Sequence, residues 1–180
     1  MLTFILPLAA LAALAGAIAA VRRRRAARAG APALMELRDR ILRLGPSDFG
    51  VEPGAYEPFV AVMDIAFPGA VASVVTASTG DASVYFSTGG GVIGGIGHEA
   101  VRTAAIAFVR AAGRDAALLA PTTDLGHPSP GHVRFLARRA DGVHAATVTE
   151  DELRSGMHPL SRLYRTGQEV ITQLRLAEAR

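Results

Sequence analysis

The stretch "FSTGGGVIGGIGHEA", Phe86 to Ala100, gathers six glycines, a serine, a threonine and a histidine within fifteen positions. Glycine-rich backbone at the start of a helix can present converging N–H groups, and such groups hold phosphate or another anion. Ser87, Thr88, Gly89, Gly90, Gly91, Gly95, Gly97 and His98 are therefore the candidate ligand-binding residues. Gly89, Gly91 and Gly94 also match the dinucleotide fingerprint G-x-G-x-x-G. The context does not: the preceding strand belongs to a hairpin rather than a βαβ unit, and Asp115 comes before the next apolar run instead of ending a second parallel strand. The competing reading is geometric. Glycines let the chain bend off the sheet edge and let the following helix lie close to the sheet.

Other chemistry-bearing residues point to less. His98-Glu99 begins the zinc motif H-E-x-x-H, but position 102 is arginine, which removes the second histidine. His127 and His132 bracket "PSPG" without a third ligand nearby, a poor metal site, and His144 and His158 read as surface or capping residues. No serine sits in a Gly-x-Ser-x-Gly elbow. The chain has no cysteine, which excludes disulfides, thiolate metal sites and a cysteine nucleophile. Its 19 basic residues are all arginine, so Schiff-base and P-loop lysine chemistry are excluded too. Asp64 is the one acid inside an apolar run. Read as a strand, that run puts Phe59, Ala61, Met63, Ile65 and Phe67 on one face, and Asp64 with Val60 and Val62 on the other, in a surface or salt-bridge role. No catalytic residue, metal site or cofactor is assigned, and the reading leans away from an enzyme.

The positive charge is local. Five of the arginines (Arg22 to Arg25 and Arg28) lie in the first thirty residues, and the other 14 face 16 acids in the remainder. The body thus lacks the basic face of a nucleic-acid binder. Before the arginines runs an uncharged stretch, Leu2 to Val21, which as a helix would measure roughly 30 Å, the thickness of a bilayer core. The charge asymmetry predicts a single-pass inner-membrane anchor over 1–21, a basic linker over 22–33 that attracts anionic lipid through Arg22–Arg25, and a cytoplasmic body. An alternative is export after cleavage of a signal peptide near Ala17-Ile18-Ala19. Ala12, Gly16 and Ala20 form a small-residue stripe that could pair two copies.

The body, residues 34–180, reads as one α+β domain. Leu34, Leu37, Ile41 and Leu44 keep helical spacing, with Glu36–Arg40 and Asp39–Arg43 as surface pairs. Phe59–Phe67 favours a strand. Val71–Thr79 and Ala82–Thr88 form a hairpin about Gly80-Asp81, which sets Ala77 opposite Val84 and Val75 opposite Phe86 on an apolar face, with Thr76, Ser78, Ser83 and Tyr85 on a polar one. A helix over His98–Ala112, with Val101, Ala105, Phe108 and Ala112 on one stripe, stops at Gly113. A second hairpin, Val133–Arg139 and Val143–Val148, turns at Asp141-Gly142, with Phe135 facing Val148 and Ala137 facing Ala146. A last helix opens at Pro159, and Gly167 in its middle calls for close packing on a sheet. The sum is an N-terminal transmembrane helix followed by an antiparallel sheet of about five strands, in the order helix, three strands, helix, two strands, helix.

That order resembles the profilin-like and roadblock-type modules, whose members mostly scaffold, bind peptides or dock on small GTPases. "ASVYFSTGGGVIGG" together with "HPLSRLYRTGQEVITQLRL" is similar to a bacterial family without an assigned activity, over most of residues 59–176. The absence of the usual catalytic constellations favours a non-enzymatic interaction or scaffold module with a protein partner or a second copy, in keeping with the resemblance at fold level. The alternative is a small-ligand or anion binder built on Gly89–Gly97.

Overall fold

The computed structural model describes residues 32–52, 54 and 57–179. A helix α1 (32–43) leads through a short 3-10 turn, Pro46–Phe49, to three strands: β1 (Val60–Phe67), β2 (Ala70–Ala77) and β3 (Ala82–Phe86). A two-residue strand β4 (Gly91–Val92) and a 3-10 turn Gly95–Gly97 precede helix α2 (Glu99–Arg114). Then come β5 (Ala120–Thr122), β6 (His132–Arg139), β7 (Gly142–Thr149) and helices α3 (Glu150–Ser155) and α4 (Ser161–Glu178). The strands make one antiparallel sheet in the order β4-β3-β2-β1-β6-β7-β5.

The expected fold is corrected in two respects. The sheet has seven strands rather than about five, because β4 and β5 extend its two edges. Strands of two and three residues are too short for apolar alternation to reveal, and both contain residues that argue against a strand, Gly91 and Pro121. The predicted transmembrane helix over 1–21 lies outside the described residues, and among those described no helix is long and apolar enough to cross a membrane. The single-pass membrane assignment and the inner-membrane localisation drawn from it therefore have no support in the fold.

Both faces of the sheet are covered, which makes three layers. On one face Ala61, Met63, Ile65, Val74, Val84 and Phe135 pack under α2 and α4. On the other, Val60, Val62, Val75, Tyr85 and Leu136 pack with Leu42 of α1 and with Phe59. Burial on two sides explains why β1 reads as a nearly continuous apolar run. Phe59 lies just outside the strand and joins the α1 side, against the alternation expected of it.

The first hairpin is shifted in register from the expected one. Ala77 N–H bonds to Asp81 O and Gly80 N–H to Ala77 O, which leaves a three-residue loop with Gly80 at φ +96°. Val74 therefore faces Val84, and Val75 faces Ser83. The slip relative to a Gly80-Asp81 turn is odd-numbered, so it exchanges faces. Tyr85 therefore joins Val75 on the α1 side while Thr76 stays with Val74 on the other, and both are buried because both faces are covered. The second hairpin slips by an even number, pairing Phe135 with Ala146 across an Ala140-Asp141 turn, and keeps its expected apolar face.

Helix α2 buries Val101, Ala105, Phe108 and Ala112, the predicted stripe, and continues one residue past Gly113. Helix α4 crosses the same face. A Cβ on Gly167 would lie 2.7 Å from Met63 Cε and 3.3 Å from Phe108 Cε2, so the glycine admits both the strand and the neighbouring helix.

Candidate functional site

The glycine segment runs from the end of β3 to the start of α2, and its members serve different positions. Ser87 N–H donates to Val71 O, and the Ser87 hydroxyl accepts from Val71 N–H at 2.8 Å, so both groups extend the β2–β3 ladder. Phe86 N–H reaches Gly90 O, which folds Ser87–Gly89 into the turn before β4. Gly91 pairs with Tyr85 so closely that a Cβ there would stand 2.2 Å from Val84 O. Gly95 is buried, and a Cβ would meet Val101 Cγ1 at 2.5 Å and Leu174 Cδ2 at 2.8 Å. Gly91 and Gly95 are thus required by close approach to a strand and to the α2–α4 pair.

Gly97 and His98 lie apart from that hairpin end. His98 is the residue before α2, and its side chain caps nothing. Both line a groove of about 800 Å³ between the first half of α2 and the last half of α4. Ala100, Ala104 and Ala107 form its α2 wall; Gln173, Leu176 and Ala177 form its α4 wall. Leu176 is half-exposed there. The charged residues lining the groove, Glu99 and Glu169, are both acidic. Of the eight candidate ligand residues, the structure brings Gly97 and His98 into this groove; Ser87, Thr88, Gly89, Gly90, Gly91 and Gly95 do not line it.

A second polar constellation sits under α1, where the sequence showed only Asp64. Asp64 and Arg38 are both 0% exposed. Arg38 Nε donates to Asp64 Oδ1 at 3.2 Å, and an η nitrogen of the same guanidinium bonds Oδ2. The other η nitrogen donates to Leu125 O at 2.7 Å. His127 Nδ1 stands 3.5 Å from Asp64 Oδ2. Burial alone would raise the pKa of this carboxyl, but hydrogen bonding from His127 and the charge and hydrogen bonds of Arg38 outweigh it and hold Asp64 below its ordinary value. Asp64 also faces Ser73 on β2 and Arg134 on β6 across the ladder. Arg134 reaches outward to Asp124, whose carboxylate is lowered first by the Gly126 N–H and then by that arginine. The cluster joins α1, β1 and the 124–127 loop through one buried carboxylate.

Arg38 was hidden among surface-type pairs on α1, and Asp39, expected to pair with Arg43, bonds Arg38 instead. The signal that could have found the pair is Asp64 itself. A charge in the middle of an apolar strand demands a buried cation, and Arg38 is a helix residue flanked by the apolar turns of Leu34, Leu37, Ile41 and Leu42. His144 is also corrected from a surface role: it is buried on β7, with Nε2 3.2 Å from Asp141 Oδ1. Among the described residues, no group of three or more His, Cys, Asp or Glu could hold a metal ion. No family model matches the chain, and no curated protein or solved structure matches it either.

Proposed function

We propose that this domain is a non-enzymatic interaction module that docks a partner helix in the groove between α2 and α4. The observation that carries the reading is the lining of that groove. Its α2 wall carries Ala100, Ala104 and Ala107, small side chains that let another helix approach closely, and Leu176 and Ala177 of α4 are apolar contacts at one end. The acids Glu99 and Glu169 favour a helix with arginine or lysine flanking its small-residue face. The same acids weaken the anion-binding alternative, because they stand beside Gly97 and His98 where an anion would approach.

A photo-crosslinking amino acid at Ala107 tests this in cells. The expected result is one discrete adduct that disappears when Glu99 and Glu169 are both changed to arginine. Absence of an adduct at 107, with adducts from a probe at exposed Arg43 on α1, would overturn it. An adduct of twice the chain's mass would identify the partner as a second copy.

A further inference from the structure

At the end of the sheet opposite the Gly80 turn, under the α2–α4 face, lies a second cleft of about 520 Å³. Phe86, Ala72 and Ile65 form one cross-strand row of its floor, and Phe67 follows Ile65 on the same face of β1. With β2 between them, β1 and β3 stand roughly 10 Å apart. The small side chain of Ala72 therefore leaves a slot between Phe86 and Ile65, with Phe67 at its end. Phe67 and Phe86 are 45% and 41% exposed, high values for large apolar side chains that share a cleft.

The opposite wall is polar and held in place. Tyr164 of α4 donates its hydroxyl to Glu150 Oε1 at 2.7 Å. Desolvation and the adjacent carboxylate push the Tyr164 pKa up to about 12, so the phenol keeps its proton and remains the donor. That bond holds the Glu150 carboxylate in the cleft wall through Oε1. The cation already facing this carboxylate is Arg154, whose Nη1 lies 3.8 Å from Oε1 with 69% of its side chain exposed. It is a loose rim partner, and it shows the sign of charge that this wall accepts.

We infer that the cleft formed by Phe67, Phe86, Glu150 and Tyr164 is a binding site for a small organic ammonium ion with an apolar or aromatic body. The apolar part fills the slot over Ala72. The ammonium donates to Glu150 Oε2 and displaces Arg154 toward solvent. The faces of the two phenylalanines add cation–π attraction for whichever part of the charge they meet. A volume of about 520 Å³ lies within the range of small-molecule sites, and the mixture of apolar walls with one fixed polar group is their usual construction. An isosteric carboxylate would meet Glu150 at close range and be rejected. The site is separate from the helix-docking groove, and each stands without the other.

Isothermal titration of the full chain with phenethylammonium, and with phenylacetate as the anionic isostere, tests the inference. Phenethylammonium should bind and phenylacetate should not. Glu150→Gln, which keeps the Tyr164 hydrogen bond and removes the charge, should weaken binding by about tenfold. Phe86→Ala should weaken it comparably, and Arg154→Ala should tighten it by removing the competing cation. Thermal unfolding of each variant separates loss of the site from loss of the fold. Failure of phenethylammonium to bind would overturn the proposal. So would equal binding of phenylacetate, or unchanged affinity in a folded Glu150→Gln variant.

Discussion

The two faces of the sheet are closed by different means. Under α2 and α4 the core is apolar side chain against apolar side chain, spread over two long helices and five strands. Under α1 the covering is one short helix, and the centre of its contact is a buried ion pair. A helix of this length has little stability of its own, and tertiary contacts must hold it. Apolar packing is tolerant of sliding; a two-point guanidinium–carboxylate contact is not. The difference teaches that area secures the α2–α4 face, whereas one charged contact fixes the position of α1 and ties the 124–127 loop to it.

The sharpest way to break this comparison is to remove one half of the pair. Asp64→Ala leaves Arg38 buried without its carboxylate and should cost about 3–5 kcal/mol of unfolding free energy in a urea titration. The double change Arg38→Met with Asp64→Leu should recover most of that loss, because no charge is then left buried. If the double variant is as unstable as the single one, packing rather than charge closes this face.

Acid probes the same pair without mutation. Asp64 is held below its ordinary value of 3.8, so the stability it contributes is complete above about pH 4 and is lost as pH falls through the depressed folded-state value. Unfolding free energies measured from pH 5 downward should fall more steeply in the parent than in the double variant. Parallel curves would assign the acid sensitivity to other carboxylates.

The α2–α4 face should answer to volume instead. Gly95→Ala drives a methyl group against Val101 and Leu174 and should cost about 1–3 kcal/mol at every pH in that range. A pH-dependent cost would contradict a purely apolar closure. The smallest effect is expected at the boundary between layers. Thr149 caps α3 by accepting from Glu152 N–H while Glu152 bonds back to Thr149 N–H, and Thr149→Ala should lose about 1 kcal/mol. The same change should loosen Glu150 next to it, seen as weaker phenethylammonium binding in the titration described above.

The sequence carried the long elements and missed what depends on their meeting. The stripe of α2, the β1 strand and the close packing at Gly167 were legible because periodicity and a mid-helix glycine are local signals. The face assignment of Val75 and Tyr85 failed because one residue in the Gly80 loop exchanges the two sides, and loop length is not written in the alternation itself. Of the candidate ligand residues, Gly95 packs against Leu174 of the last helix, a neighbour that no short window can contain. Arg38 and Asp64 are 26 positions apart and belong to different elements, so neither residue alone announces the other.

The outer strands have a consequence for assembly. A sheet with an open, regular border can recruit the border of another molecule and grow into a fibre. Here one border is two residues long and contains Gly91, whose backbone is turned to φ +156°. The other is three residues long, with Pro121 in its middle offering no N–H. A neighbouring chain would find too few aligned donors and acceptors on either side to be templated. Neither outer strand offers a template long enough to extend the sheet strand by strand.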